Sequence, residues 1–356
     1  MCGASSSDSF AEPLDMFAQF EQIRVMVESE FDVEDGFVDH GVPTFYVRMR
    51  DDSKEAFLRV TQRMESLGFI PILRRREEKV VLRAVQKPSA KPSRNIINIG
   101  LFFATLGTVF LSGYLQSDIV GAVMFTGAIM AILGSHEMGH KLLADKHAVE
   151  ATYPYFIPGL PPIGTFGAVI QQKSLPPNKD ALFDIGFAGP VAGFIVAIIV
   201  TLIGVQLSVR VPEAPPGAVP WPYPNPILFE WLFRFAATFF PLSGTGNLIL
   251  VHPVVFAGWV GMLVTMLNLV PVGMFDGGHV ARSLVGERAH RILSYLGIIL
   301  LAIIWYPMAF IALFLSFQRH PGPLDDVSQP TPLRKLAAIG LIAVFILCVV
   351  PIYSLL

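Results

Sequence analysis

Residues 119–144 read IVGAVMFTGAIMAILGSHEMGHKLLA. The run is long and apolar enough to cross a bilayer, which takes about 20 such residues. Yet it carries His136, Glu137 and His140 in its second half. Ionisable groups are costly at lipid depth and are rarely found there without a role. On a helix, residues i and i+4 lie one turn apart on one face, so the two imidazoles point the same way with a carboxylate beside them. That is a ready pair of metal ligands with an acid–base group at hand.

The rest of the composition agrees with a membrane setting. The 356 residues are 53% hydrophobic and 15% charged, against about 25% charged in soluble domains, and mean hydropathy is +0.57. The expected fold class is a polytopic α-helical membrane protein of about six to seven spans with a small N-terminal α/β soluble domain. Only Cys2 and Cys348 occur, at opposite ends, which argues against a disulfide framework and a cysteine-based zinc site. The first apolar run of spanning length begins near Ile96, too late for a cleavable signal peptide.

Residues 1–90 read as the soluble α/β domain, loose over its first dozen positions. Residues 44–49 (TFYVRM) pattern as a strand. Residues 51–67 place Ala56, Phe57, Val60, Met64 and Leu67 at helical spacing, with Asp51 or Ser53 to cap the helix and Gly68 to end it. Residues 69–73 and 79–85 read as strands joined by a charged turn, and an earlier strand is expected at 23–28. A Pro- and Lys-rich linker follows, placed at 91–94.

The transmembrane part is expected over 95–356, with spans at 95–114, 119–144, 181–207, 253–272 and 336–355. Residues 291–317 read as one tilted helix or two hinged at Tyr306-Pro307, and 226–240 as an interfacial or re-entrant helix. Lys and Arg mark cytoplasmic loops. Arg74, Arg75, Arg76, Lys79, Arg83, Lys87, Lys91 and Arg94 put the N-terminal domain inside, and Lys141, Lys146, Arg282, Arg288 and Arg291 return to that side. Arg319, Arg334 and Lys335 also belong there, which favours two helices over 291–317.

Catalytic zinc generally has three protein ligands and one open position. His136 and His140 supply two, and Glu137 is placed to take a proton from water and pass it to a leaving amine. The best third ligand is Asp276, in NLVPVGMFDGG at 268–278. Alone it reads as an ordinary Asp-Gly turn at a helix end. Beside His-Glu-x-x-His on a span of the same direction, the ligand reading is preferred. Pro271 breaks the helix just before it, and Gly277 and Gly278 leave room for a sharp turn.

HEMGH at 136–140 together with NLVPVGMFDGG at 268–278 resembles the site-2 protease family of intramembrane zinc metalloproteases. GTFGAVIQQ at 164–172, HPGPLDD at 320–326 and the α/β domain over 20–87 resemble its archaeal, bacterial and plastid members, the branch without a PDZ-like insertion. The metal core, about 119–285, carries the strongest likeness. The resemblance implies one Zn2+ per chain on His136, His140 and Asp276, with Glu137 as general base. It implies a role for Gly164, Thr165, Phe166 and Gly167 as an edge that pairs with an unwound substrate strand, a plain connecting turn being the alternative. Asn268 is a candidate oxyanion donor, or else a brace for the kinked backbone. The implied function is zinc-dependent endoproteolysis of a membrane protein substrate within its transmembrane helix, near the cytoplasmic side. The partners are then that substrate and the lipid bilayer, with no nucleic acid. The rival readings are a metal-ion transporter and a catalytically silent membrane scaffold. Small residues at Ala188-Gly189-Pro190 and Gly193 read as helix packing. His147 and His279 read as interface residues, His252 as lying on the outer side, His320 as a surface-loop residue, and Asp325 and Asp326 as a solvated turn.

Overall fold

A computed structural model describes residues 8–88, 95–218, 220–304, 306–316 and 320–350. The linker expected at 91–94, the first seven residues and the end of the last predicted span lie outside the described residues. The chain forms two compact units. One takes the N-terminal residues together with Leu175–Lys179 and Gly322–Gln329, and the other takes the remainder.

The first unit contains α1 (Asp8–Glu28), β1 (Asp32–Asp39), β2 (Val42–Arg48), α2 (Ser53–Glu65), β3 (Phe69–Arg76) and β4 (Lys79–Gln86). Its sheet has the order β1-β2-β4-β3, antiparallel throughout. The strand expected at 23–28 is instead the end of α1, and helix already begins at Asp8 within the stretch expected to be loose. The reason is spacing: Phe20, Ile23 and Val27 recur at three and four residues and are all buried, whereas Val25 is exposed. They pack with Phe57, Val60 and Met64 of α2 and with Phe45 of β2, whose ring stacks on Phe20. Strand β1 escaped prediction because its sequence, DVEDGFVD, is mostly polar. Neither Asp51 nor Asp52 caps α2; the Ser53 hydroxyl accepts from the backbone of Arg50 instead.

The β3 edge of this sheet is covered by chain from far along the sequence. The Leu73 N–H donates to the Leu324 carbonyl (2.9 Å) and the Asp326 N–H donates to the Leu73 carbonyl (3.2 Å). The Leu324 and Asp325 N–H groups in turn donate to the carbonyls of Pro176 and Pro177. Asp325 is fully buried, and its Oδ1 accepts from the backbone of Val327 and Ser328. The solvated turn expected at 325–326 is thus, at Asp325, a buried turn that bridges Leu73 at the β3 edge.

The second unit opens with α3 (Asn95–Tyr114), α4 (Ile119–Lys146), β5 (Tyr155–Pro158), β6 (Thr165–Val169), α5 (Lys179–Leu207) and β7 (Val209–Val211). It continues with α6 (Ile227–Phe239), β8 (Ser243–Gly244), β9 (Leu248–Leu250), α7 (Pro253–Leu269), α8 (Asp276–Ile304), α9 (Tyr306–Ser316) and α10 (Pro332–Cys348). Among the described residues, α3, α4 and α5 are long and apolar enough to cross a membrane, and α7 is a shorter apolar helix. Their starts match the apolar runs closely because uniform apolar sequence leaves little else to decide. Helix α7 is buried almost all round, as a central helix should be. Small residues set its crossings: a Cβ at Gly258 would lie 2.2 Å from Thr201 Oγ1, and one at Gly261 would lie 2.8 Å from Ala197 Cβ.

Within the 291–317 region the described residues 291–304 belong to α8 and 306–316 form α9. Helix α8 starts earlier than expected, at Asp276, and is interrupted at Gly286, whose φ of 77° suits glycine. Strands β5 and β6 form an antiparallel hairpin, and β7, β8 and β9 form a small three-stranded sheet.

Candidate metal centre

Helix α4 carries His136, Glu137 and His140 in its last three turns, all buried. Helix α8 brings Asp276 to them as its first residue. Helix α7 stops at Leu269, and Val270 turns extended (ψ 130°) ahead of Pro271, as residues before proline do. The chain then doubles back tightly. A Cβ at Gly277 would lie 2.1 Å from the Leu269 carbonyl oxygen, and one at Gly278 would lie 2.4 Å from that of Gly273. Any side chain at either position would push Asp276 away.

His136 Nε2 lies 3.1 Å from Asp276 Oδ2, His140 Nε2 lies 3.2 Å from Asp276 Oδ1, and the two Nε2 atoms are 3.2 Å apart. Donors in tetrahedral zinc sites, bonded at about 2.0–2.1 Å, stand roughly 3.3–3.4 Å from one another. The three groups therefore already have nearly the separations the metal needs. The His140 Nδ1 atom lies 2.7 Å from the Ile185 carbonyl, which can only accept. In the neutral ring Nδ1 then carries the proton, and Nε2 presents a lone pair to His136 and to a carboxylate. A cation among the three satisfies these facing lone pairs at once. Among the described residues this is the one group of three disposed to hold a metal, and its His2Asp donor set suits zinc.

Glu137 is buried beside His136 on α4. Asn268, near the end of α7, places Nδ2 3.3 Å from His136 Nε2. All five residues read from the two motifs are thus accounted for, with Asn268 at the edge of the cluster.

The 164–167 segment is not in the cluster. Gly164, at φ +86°, packs on α3, where a Cβ would fall 2.6 Å from the Thr108 carbonyl. The Thr165 hydroxyl donates to the Ile157 carbonyl within the hairpin (2.8 Å). Phe166 is 72% exposed, and Gly167 pairs with Ile157.

Sequence reasoning missed the wall behind the ligands. Gly186, Gly189 and Gly193 lie on one face of α5. A Cβ at Gly189 would lie 2.0 Å from His140 Nε2, one at Gly193 3.0 Å from His136 Nδ1, and one at Gly186 3.0 Å from the Asp276 carbonyl. Their spacing of three and four residues was visible; that all three ligands rest against it was not. One histidine differs from expectation. His320 is buried, not in a surface loop, and its Nε2 lies 2.7 Å from His279 Nδ1. His252 accepts from the Val254 N–H as the cap of α7. His147 pairs with Asp184 at 2.8 Å.

Apolar helices that hold a His2Asp cluster with an adjacent glutamate define a membrane metallohydrolase scaffold. Residues 124–311 match the profile of Peptidase family M50, and the chain belongs to that family, the site-2 proteases. It is similar to the proteins named "Probable zinc metalloprotease EGY1, chloroplastic" of Oryza sativa subsp. japonica and of Arabidopsis thaliana. The identities are 30% and 33%, over 64% of this chain and 40% and 42% of those proteins. "Probable zinc metalloprotease EGY2, chloroplastic" of Arabidopsis thaliana is 28% identical over 76% of this chain and 52% of its own length. The chain thus spans about half or less of the curated relatives it matches. No solved structure matches it. Family and donor set agree on zinc as the metal.

Proposed function

We propose that the chain is a zinc metalloendopeptidase that cuts a membrane-spanning protein within its transmembrane helix, near the cytoplasmic side. The observation that carries this reading is the meeting of His136, His140 and Asp276 at 3.1–3.2 Å on helices of apolar sequence, with Glu137 beside them. When bound there, zinc supplies Lewis-acid polarisation of the scissile carbonyl.

The remaining steps belong to the protein. Glu137 takes the proton from the attacking water and delivers it to the departing amide nitrogen. The Asn268 amide, at the cluster's edge, donates to the oxygen that gains negative charge. A helical substrate keeps its carbonyls in its own hydrogen bonds, so it must open first. The outer edge of β6 offers backbone partners to the opened strand, which would run past Glu137. In this reading α3, α4 and α5 cross the membrane, and α7, α8–α9 and α10 would supply the further crossings of a six- to seven-span protein, with α6 as the ambiguous member. The positive charges of Lys141, Lys146 and Arg288 favour a cytoplasmic position for the ligand-bearing ends, while Arg282 is buried within α8.

The test uses the full chain in lipid nanodiscs with a single-span reporter. Wild type should hold one zinc per chain and cut the reporter inside its span. Glu137→Ala should keep the metal and lose cleavage, and undiminished cleavage would overturn the mechanism. Cleavage confined to extramembrane segments of the reporter would overturn the proposed substrate.

A further inference from the structure

We propose that Arg334, on the last helix and beyond the region matched by the family profile, is a positioning residue for the metal centre. It acts through Asp184 and the carbonyl of the next residue, Ile185. This inference rests on the zinc reading above.

The contacts form a closed frame. Arg334 grips Asp184 with two parallel bonds, Nε to Oδ1 at 2.8 Å and Nη2 to Oδ2 at 2.6 Å. This is the fork geometry in which arginine binds carboxylate best. Arg334 Nη1 also lies 3.2 Å from Asp180 Oδ2, and Asp180 Oδ1 accepts the Thr331 N–H at 2.9 Å. The start of α10 is therefore fastened to the first two turns of α5. The same Asp184 carboxylate meets His147 Nε2 at 2.8 Å, and His147 caps α4 two turns beyond His140.

Helices α4 and α5 are thus joined at two levels, through His140 and the Ile185 carbonyl and through His147 and Asp184. Arg334 is the group that holds Asp184 in place for both. The position of α5 along α4 sets whether the Ile185 carbonyl reaches His140 Nδ1. It also sets whether Gly186, Gly189 and Gly193 stand opposite the three ligands. A shift of α5 by a fraction of an ångström changes the tautomer-fixing bond before it changes the fold. Partners of this kind commonly alter metal affinity by about 10–100-fold. Arg334 acts one contact further out, at the low end of that range.

The test measures zinc affinity by chelator competition, and the visible spectrum of the cobalt-substituted full chain in nanodiscs. Arg334→Ala and Asp184→Asn should each weaken zinc binding about 10-fold and alter the cobalt bands. Their combination should be no worse than the more affected single variant, since both break one route. Arg334→Lys, which keeps charge without the fork, should fall between wild type and Arg334→Ala, and it decides the matter if the alanine variant does not fold. Exposed Lys335→Ala is the control and should match wild type. If the variants lower thermal stability but keep wild-type affinity and spectrum, Arg334 is structural only and the proposal fails. Failure of wild type itself to bind zinc would instead overturn the metal centre, and this inference with it.

Discussion

Replacing Gly189 by alanine puts a methyl carbon 2.0 Å from His140 Nε2, 2.4 Å from Cε1 and 2.5 Å from Cδ2. Carbon–nitrogen contacts are comfortable at about 3.4 Å or more, so the ring must retreat by roughly 1.4 Å. It is not free to do so. Its Nδ1 is held 2.7 Å from the Ile185 carbonyl on the same helix as the new methyl. Metal–ligand bonds tolerate errors of about 0.2 Å, so a displacement several times larger removes His140 from the coordination sphere. Zinc affinity should fall at least about 100-fold, roughly 2.7 kcal/mol. Gly193→Ala is the graded comparison. Its Cβ would sit 3.0 Å from His136 Nδ1, a clash relieved by a few tenths of an ångström, so the loss should be a few-fold. The assay is chelator competition on purified chain, with circular dichroism to confirm that the helices persist. If Gly189→Ala binds zinc as tightly as wild type, α5 does not back His140 as described and the argument fails.

Further expectations can be checked alongside. Asp276→Ala leaves two protein ligands and should abolish stoichiometric zinc by metal analysis, and full retention would mean that another residue completes the set. Treating wild type with a strong chelator should stop cleavage, and added zinc should restore it in wild type but not in Asp276→Ala. In the N-terminal unit, the Arg50 hydrogen bond holds the Asp32 carboxyl below its ordinary pKa. A folded-state pKa below the unfolded one stabilises above the unfolded value and is lost as pH falls through the folded value. Hydrogen exchange along β1 should therefore be slower in wild type than in Asp32→Asn at neutral pH, and the two should converge in acid. A difference that grew in acid would contradict the pairing. Asp325→Ala deletes an acceptor for two backbone N–H groups, at a cost of about 2 kcal/mol. Faster exchange at Leu73 should report the release of the 324–326 segment from the β3 edge.

The residues of the candidate metal centre were legible because their chemistry is carried by residue type and short spacing. His136, Glu137 and His140 share one helix, and Asp276 is announced by Pro271 and the glycines after it. The long apolar helices were legible because lipid admits little else at that length. The surprises depend on contacts distant in sequence. The alternation of Ile23, Val25 and Val27 suits a strand as well as a helix until Phe20 and Phe45 stack across the core. Asp325 looks like a surface residue unless Leu73 is known to lie beside its backbone. Gly186, Gly189 and Gly193 look like ordinary small-residue packing unless the ligand rings are seen to occupy the space. Arg334 looks like a charge marking the cytoplasmic end of a span, and only its fork on Asp184 suggests a second role.

The sheet edge completed by Leu324–Asp326 has a consequence for how this protein is inherited. A module whose edge is closed by residues so distant in sequence cannot be moved as one contiguous cassette, because cutting it out leaves β3 with bare amide and carbonyl groups. Such an open margin invites pairing with other copies. Gene fusions and truncations that separate the early exons or codons from those for Gly322–Gln329 should therefore yield sticky, short-lived products, and selection should keep the two stretches together.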